Sequence, residues 1–94
     1  MSYSLRFHEL ALKEWRKLNP ELQKQFKNKL AERLEDPKIP ACALSGMPDC
    51  YKIKLRAAGY RLVYRVEDDI LFVTVIAVGK RERLAVYSNA RKRI

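Results

Sequence analysis

The sequence predicts a small α+β domain, in which a twisted, mainly antiparallel sheet carries a helical hairpin on one face and ends in a short C-terminal helix. Three observations predict this class. First, apolar and polar residues alternate near the N-terminus and in parts of residues 51–78, where there is also a continuous apolar run, and both patterns are typical of strands. Second, residues 9–35 contain two apolar stripes with helical spacing. Third, residues 84–94 contain another such stripe. The predicted element order is therefore β-α-α-β-β-β-α. A chain of 94 residues is long enough for one core, and we expect a single domain over residues 1–94.

The first predicted strand lies at the N-terminus. Tyr3, Leu5 and Phe7 alternate with polar residues, which is typical of a half-buried strand. His8 is the only histidine and follows at the boundary with the first helix. A histidine there can serve as an acid or base, but we interpret it as structural because it stands alone at an element boundary.

Two helices are predicted between this strand and residue 36. Their apolar stripes are Ala11, Trp15 and Leu18 in the first helix, and Leu22, Phe26, Leu30 and Leu34 in the second. Asn19 and Pro20 indicate a new helix start, since Asn caps well and Pro fits the first helical position. The pair Asp36-Pro37 ends the second helix. The charged residues between the stripes, Glu14 among them, are expected to face solvent.

The segment from Tyr51 to Val66 predicts a β-hairpin with one apolar face and one basic face. The register that keeps one face apolar pairs Leu55 with Tyr60, Ile53 with Leu62, Tyr51 with Tyr64, Lys54 with Arg61 and Lys52 with Val63. The four-residue loop then ends in Gly59, which suits a left-handed closing position. Like charges that oppose each other destabilise a strand pair. The three cations Lys52, Lys54 and Arg61 therefore indicate an anionic partner, although a solubilising face is the plain alternative.

The last strand and helix follow this hairpin. Residues 70–78 are apolar except for Thr74, which predicts a strand buried on both faces and hence central in the sheet. A helix is predicted over residues 84–94, with Tyr87 at the edge of its stripe. The stripe itself consists of Val86, Ala90 and Ile94. Because so short a helix is unstable alone, we expect it to be the most easily detached element.

The excess positive charge is concentrated in the C-terminal half. The net charge is +9, from 20 Lys and Arg against 11 Asp and Glu. Residues 50–66 hold five basic side chains and no acid, and residues 80–94 hold six basic side chains and one acid. A localised basic field favours phosphates by releasing counterions. We therefore expect a nucleic-acid partner, and no membrane partner, because no basic amphipathic helix with a broad apolar face accompanies the charge.

The sequence also argues against several kinds of site. It has no Gly-rich phosphate loop, no nucleophile elbow and no HExxH zinc helix. Cys42 and Cys50 match no zinc spacing with His8, so we expect free thiols, no metal and no cofactor, with a disulfide or metal site as the minor alternative. Free thiols, the lack of a signal-peptide pattern and the lack of a long apolar run predict a cytoplasmic protein.

The groups that remain are lysines, arginines and tyrosines, and such a set can cleave RNA without a metal. The 2′-hydroxyl attacks the adjacent phosphorus, while the protein moves protons and holds charge. Arginine suits phosphate oxygens because its planar fork donates two hydrogen bonds and stays cationic. A lysine crowded by other cations has a lowered pKa and can accept a proton. A tyrosine in that field can do the same or can stack on a base.

The chain resembles the RelE family of bacterial toxins from type II toxin–antitoxin pairs. Three segments carry the resemblance, in this order: ALKEWRKL (residues 11–18), LSGMPDCYKIKLRAAGYRLVYRV (44–66) and VGKRERLAVY (78–87). The resemblance spans essentially the whole chain. It implies a RelE/ParE-like fold and a ribosome-dependent endoribonuclease that cleaves messenger RNA in the A site and thereby inhibits translation.

Carried over by position, the family's active site falls on Lys52, Lys54, Arg61, Arg81 and Tyr87. On this hypothesis Lys54 and Arg61 hold the scissile phosphate, and Lys52 shares proton-acceptor or electrostatic work. Arg81 stabilises the phosphorane or the leaving oxygen. Tyr87 accepts the 2′-hydroxyl proton or orients the base. The plain alternatives are a core-edge tyrosine, a loop charge at Arg81 and a solubilising Lys52.

A second basic set is expected to contact ribosomal RNA backbone, and so to set affinity rather than rate. Its members are Arg56, Arg65, Lys80 and Arg83, together with the tail Arg91, Lys92 and Arg93.

The resemblance also implies partners. These are a cognate RelB-like antitoxin that is partly disordered when free, the ribosome with messenger RNA in its A site, and operator DNA, which the toxin–antitoxin complex can bind through the antitoxin. Because the terminal helix is short and bears Tyr87, an antitoxin helix could displace it or occupy its groove. Two alternatives have no nuclease activity: a ParE-like toxin of the same fold that acts on DNA gyrase, and an RNA-binding module that blocks translation without cutting.

Overall fold

The structure, a computed structural model, describes residues 3–80 and 85–94, and it contains four strands and three α-helices there. In chain order they are β1 Ser4–Phe7, α1 Glu9–Arg16, α2 Pro20–Glu35, β2 Cys50–Leu55, β3 Tyr60–Glu67, β4 Phe72–Lys80 and α3 Ala85–Arg93. A short 3-10 turn, Pro40–Cys42, lies in the loop between α2 and β2. This order confirms the predicted one. Among the described residues, no helix combines the length and the apolar character needed to cross a bilayer.

The four strands form one sheet in the order β1-β4-β3-β2. Both hairpins, β2–β3 and β3–β4, are antiparallel, and β1 runs parallel to β4. The prediction of a mainly antiparallel sheet is therefore confirmed. The prediction of a central last strand is confirmed as well, since β4 lies between two neighbours and its residues 73–78 are all buried.

The β2–β3 hairpin has the predicted register in every pair. Tyr51 lies opposite Tyr64, and their rings stack with centroids 5.7 Å apart. Gly59 closes the turn with a φ of 71° and donates its backbone N–H to the carbonyl of Leu55 at 2.9 Å. Glycine suits this left-handed position because it has no Cβ to clash with the backbone.

A β-bulge in β4 shifts the side-chain alternation partway along the sheet. Val63 pairs with Ala77, but the next residue, Tyr64, pairs with Val75, which leaves Ile76 as the extra residue. Ile76 and Ala77 consequently pack on the same side of the sheet, in the apolar cluster beneath α3.

Each face of the sheet carries its own apolar layer. Helices α1 and α2 cover one face, where the buried residues are Ala11 and Trp15 of α1, Leu18 of the connection, and Leu22, Phe26 and Leu30 of α2. Helix α3 covers the other face over a smaller cluster, formed by Met47, Cys50, Val63, Ile76, Ala77, Val86 and Ala90. The stripes predicted for the two N-terminal helices are therefore confirmed. The strands β3 and β4 contribute residues to both layers, which makes them the centre of the fold.

His8 and Asn19 cap the two N-terminal helices. The Nδ1 atom of His8 accepts a hydrogen bond from the backbone N–H of Leu10 at 3.2 Å, and Oδ1 of Asn19 accepts one from Leu22 at 2.9 Å. Pro20 is the first residue of α2. The structural role predicted for His8 is thus observed, and Cys42 and Cys50 are free thiols as expected.

Three expectations about apolar residues at the ends of elements were wrong. Strand β4 begins at Phe72 rather than Ile70, because Leu71 turns with a φ of 56° and Ile70 is half exposed. Leu5 is exposed on β1, which is an edge strand and incompletely covered. Ile94 follows the end of α3 and is also exposed. The apolar side chains that α3 buries are therefore only two, and both are small.

The hydroxyl of Tyr64 joins the sheet to α2 and to the loop behind it. Tyr64 is fully buried, donates to the carbonyl of Pro37 at 2.6 Å and accepts from Nη1 of Arg33 at 2.9 Å. Burial raises the pKa of Tyr64, so the hydroxyl remains neutral and able to donate. The same guanidinium nitrogen of Arg33 donates to the carbonyl of Lys52 at 3.3 Å. This network anchors β2, the strand that carries two of the predicted catalytic residues.

Replacing Tyr64 with Phe should destabilise the fold, because the carbonyl of Pro37 would lose its buried donor and Arg33 an acceptor. We expect the free energy of unfolding to fall by about 1–3 kcal/mol. Urea denaturation of the purified chain measures this change. Tyr51→Phe is the matched control, since Tyr51 lies opposite Tyr64 and stays partly exposed. Equal stability of the two variants would contradict the role assigned to the Tyr64 hydroxyl.

Candidate active site

Three of the predicted catalytic side chains lie together on the face of the sheet that α3 covers. Lys54 and Arg61 are direct partners across β2 and β3, and Lys52 pairs with Val63, which packs under α3. The alternate residues of both strands face the helical hairpin instead. We call Lys52, Lys54 and Arg61 the cationic face. Its existence follows from the hairpin register, because any one-residue slip would turn these charges into the core.

Tyr87 approaches the cationic face from α3. Its neighbours in the helix, Val86 and Ala90, are buried against the sheet, which holds Tyr87 partly exposed at the edge of the helix. The hydroxyl of Tyr87 accepts a hydrogen bond from Nη1 of Arg61 at 2.7 Å. The guanidinium carbon lies 5.5 Å from the centre of the Tyr87 ring, which is within the range of a cation–π contact. Arg61 therefore contacts Tyr87 through its hydroxyl oxygen and lies over its ring.

Repulsion within the cationic face changes the acid–base properties of one lysine. The ammonium group of Lys52, followed by the guanidinium of Arg61, lowers the pKa of Lys54 below its usual value. A lowered pKa increases the fraction of neutral amine near neutral pH. Lys54 is therefore better suited than an isolated lysine to accept a proton or to give one up during a reaction.

A shallow concavity of about 240 Å³ lies at the turn end of the hairpin. Its lining residues are Lys54, Leu55, Arg56, Gly59, Tyr60 and Arg61. This volume is below the roughly 300–1,000 Å³ that is usual for an enclosed small-molecule site. A concavity of this size with three cations at its wall suits a phosphate group on an extended chain better than it suits a buried metabolite.

The second basic set is dispersed. Arg56 lines the concavity, and Arg65 is exposed on β3 opposite Cys50, whose side chain packs in the cluster beneath α3. Lys80 pairs with Tyr60, which packs against the hairpin-side core, so strand alternation turns Lys80 away from the cationic face. Arg83 and the fifth predicted catalytic residue, Arg81, lie outside the described residues.

Arg93 does not belong to the exposed basic tail in which it was expected. Its side chain is 11% exposed and forms a salt bridge with Glu14, whose side chain is 25% exposed. The guanidinium donates from Nη1 to Oε1 at 2.9 Å and from Nη2 to Oε2 at 3.1 Å. The expectation that Glu14 faces solvent was therefore also wrong. The two side chains meet because α1 and α3 both reach the same edge of β4.

The sequence contains a pattern from which the burial of Glu14 and Arg93 could have been predicted. Glu14 occupies the helical position between Ala11 and Leu18, three residues after the first and four before the second, inside the apolar stripe. Arg93 follows Ala90 by three residues and so continues the stripe of α3. A charged residue in an apolar stripe indicates a buried partner of opposite charge.

Comparison with known proteins agrees with this architecture and defines the class. Residues 5–85 match the profile of the ParE toxin of type II toxin–antitoxin systems, parDE. The chain therefore belongs to this family of type II toxin–antitoxin toxins.

Within the family, the chain is strongly similar to RelE. It is 63% identical over 94 residues to the mRNA interferase toxin RelE of Escherichia coli strain K12, a match that covers 100% of this chain and 99% of the relative. A mutant of E. coli toxin RelE in the free state superposes with a TM-score of 0.93 at 61% identity, over 100% of this chain and 99% of that one. The same mutant in complex with an antitoxin RelBc peptide superposes with a TM-score of 0.84, at the same identity and coverage.

Replacing Lys52 with Met should raise the pKa of Lys54, because the largest source of repulsion on that ammonium group would be removed. At a fixed pH near neutrality, the neutral fraction of Lys54 should then fall. An NMR titration of the Lys54 ammonium nitrogen measures the change. Lys27→Met, which removes one charge from the exposed surface of α2, is the control. An unchanged Lys54 pKa in the Lys52 variant would mean that the two ammonium groups do not interact.

Proposed function

We propose that this protein is the toxin of a type II toxin–antitoxin pair and an endoribonuclease that cleaves messenger RNA in the ribosomal A site, which inhibits translation. The observation that carries the proposal is the full-length 63% identity to an mRNA interferase toxin, in a chain that retains the predicted Lys, Arg and Tyr set. The contact between Arg61 and Tyr87 supports it independently, since it joins two members of that set from different elements.

The proposed reaction is attack of a 2′-hydroxyl on the adjacent phosphorus. The 2′-oxygen loses its proton and bonds to phosphorus, the phosphorane carries developing negative charge, and the P–O5′ bond breaks as the 5′-oxygen takes up a proton. The products are a 2′,3′-cyclic phosphate and a 5′-hydroxyl. Arg61 and Lys54 oppose each other across the hairpin and would hold two oxygens of one phosphate. Arg81 would stabilise the phosphorane or the leaving oxygen. None of these steps requires a bound metal, because the charge stabilisation comes from fixed cations.

The first proton acceptor is Tyr87 or one of the two lysines. Arg61 donates to the oxygen of Tyr87, so a phenolate formed there would gain a charge-assisted hydrogen bond. This contact engages one of the five N–H donors of the guanidinium, and a phosphate would be bound through others. Lys54 offers a second route through its lowered pKa. Lys52 supports this second route, because its charge is the main cause of that lowering.

The ribosome supplies what this site lacks. The described concavity is small, about 240 Å³, and its lining residues all come from the β2–β3 hairpin, so it offers little surface for aligning an RNA strand. In the A site, the ribosome would hold the messenger RNA backbone in a fixed position. The ribosome, rather than the toxin, would therefore align the reacting groups. Arg56 and Arg65, with Lys80 and Arg83, would contact ribosomal RNA backbone. This target also implies a cytoplasmic location.

The partner that restrains this activity would be a RelB-like antitoxin. Solved structures of similar toxins include one bound to an antitoxin RelBc peptide and one named as an intact RelBE toxin–antitoxin complex. An antitoxin helix laid against the α3 side of the sheet would displace α3 or shift Tyr87 from Arg61. The toxin–antitoxin complex would bind operator DNA through the antitoxin.

The alternative is a ParE-like toxin that acts on DNA gyrase, and the matching family profile carries that name. The full-length relatives at 63% identity are named as mRNA interferases, which favours RNA cleavage. Mapping messenger RNA ends after brief expression separates the two functions. Codon-phased breaks support the nuclease, and DNA damage without such breaks would support the gyrase poison. A block in translation with neither outcome would indicate a non-cleaving RNA-binding module.

Replacing Arg61 with Gln should abolish most cleavage on programmed ribosomes, since a phosphate-binding cation and the partner of Tyr87 are both lost. We expect the single-turnover rate at saturating toxin to fall about 100-fold or more. The matched variant is Arg65→Gln, which removes the same charge from the same strand. It should weaken binding and lower the salt dependence by about one unit of slope, while the saturated rate is retained. An equal loss of the saturated cleavage rate in both variants would show that Arg61 has no specific role in the reaction.

Antitoxin binding should change hydrogen exchange in residues 85–93, because the proposed antitoxin helix competes for the surface beneath α3. Mass spectrometry of the toxin with and without the antitoxin fragment measures this change. The amides of β4 provide an internal reference, since that strand is buried and central. Unchanged exchange in α3 upon binding would exclude the displacement mechanism.

A further inference from the structure

Helix α3 has little apolar attachment to the rest of the molecule. Its buried side chains are Val86 and Ala90, and it spans nine residues. A helix of that length is unstable on its own. Its position therefore depends on polar contacts at its two ends, which are the Arg61–Tyr87 hydrogen bond near the first turn and the Glu14–Arg93 pair in the last.

The Glu14–Arg93 pair lies at the point along β4 where β1 no longer pairs with it. The β1 ladder ends at the hydrogen bond from the N–H of His8 to the carbonyl of Val75, at 2.8 Å. The bulge follows immediately, so the next backbone groups on this edge are the carbonyl of Ile76 and the N–H of Val78. Such groups need partners when they are removed from water.

Glu14 and Arg93 provide those partners. Oε1 of Glu14 accepts from the N–H of Val78 at 3.0 Å, and Nη1 of Arg93 donates to the carbonyl of Ile76 at 3.0 Å. The two side chains also bond to each other in the bidentate arrangement described above. The four groups form one closed network, in which each hydrogen bond fixes the position of the next.

We propose that Glu14 and Arg93 are positioning residues for Tyr87, and that they act by fixing the rotation and height of α3 on the bulged edge of β4. This inference rests on the proposed function, because it assigns the pair to the cleavage reaction. Arg93 lies six residues after Tyr87, or about 9 Å along the helix axis. Because an intact helix is stiff over that distance, a shift at Arg93 moves the Tyr87 hydroxyl relative to Arg61.

The test is Glu14→Gln, which preserves the size of the side chain and an acceptor for Val78 but removes the charge and the second bond to Arg93. Cleavage on programmed ribosomes should lose about tenfold to a hundredfold in kcat, with KM within about twofold, because a small displacement of a reacting group has effects of this size. Glu9→Gln is the matched control, since it removes one exposed negative charge from the same helix. It should behave as the unaltered protein.

A double-mutant cycle separates positioning from general stability. If the pair acts through Tyr87, Glu14→Gln should cause no further loss of kcat in a Tyr87→Phe background. A full multiplicative loss in that background would overturn the proposal, as would a Glu14→Gln variant indistinguishable from Glu9→Gln. Should Glu14→Gln fail to fold, Arg93→Lys carries the same expectation, because lysine keeps the charge but cannot bind both carboxylate oxygens in parallel.

Hydrogen exchange in α3 tests the anchoring role of the pair by a measurement that does not depend on nuclease activity. Glu14→Gln should accelerate exchange in residues 85–93, and Glu9→Gln should not. If the unaltered protein leaves messenger RNA intact on ribosomes, the proposed function fails, and so does the catalytic role of the pair. Faster exchange in α3 would then still identify the pair as its anchor. Slow exchange in the Glu14 variant, together with active unaltered protein, would overturn the anchoring itself.

Discussion

The pairing register of β2 and β3 is the constraint on which the rest of the molecule depends. One register buries Ile53 and Leu62 under the helical hairpin and simultaneously gathers Lys52, Lys54 and Arg61 on the opposite face. The apolar face enforces this arrangement, since a slip of one residue would bury the lysines. The burial of apolar side chains on one side of the sheet thereby keeps three mutually repelling cations together on the other side.

That repulsion gives the face its chemistry. The neighbouring like charges lower the pKa of Lys54, and the positive field that they create favours an anionic ligand. In the proposed reaction, a phosphate would relieve this repulsion on binding, and it would do so further as negative charge develops in the phosphorane. The Tyr87 hydroxyl accepts a hydrogen bond from Arg61. Among the described residues, the fold itself therefore brings Lys54, Arg61 and Tyr87 together.

Helix α3 contrasts with the rest of the core. The helices α1 and α2 are fixed by a continuous apolar layer, whereas α3 buries two small side chains and depends on polar contacts. Polar attachment specifies one orientation, because hydrogen bonds are directional, yet it contributes less net stability than a broad apolar interface. Such a helix can hold a reactive side chain accurately and still be displaced by a partner that offers better packing.

Local patterns in the sequence predict several parts of this protein correctly. Alternation set the hairpin register, the period of the stripes set α1 and α2, and Asn19-Pro20 set the start of α2. Lys52, Lys54 and Arg61 could be grouped from the same alternation, because strand geometry fixes which residues share a face. The start of β4 and the end of α3 were less predictable. The apolar residues Ile70 and Ile94 fit the patterns of these elements, but they lie just outside them.

The way in which distant segments meet depends on tertiary packing and could not be predicted from local patterns. The bulge at Ile76 cannot be read from an apolar run, because an extra residue changes the facing of side chains without changing their composition. The contact of Tyr87 with Arg61 and the pairing of Glu14 with Arg93 join residues separated by 26 and 79 positions. Periodicity reports which face a residue occupies within its own element, and it contains no information about which other element covers that face.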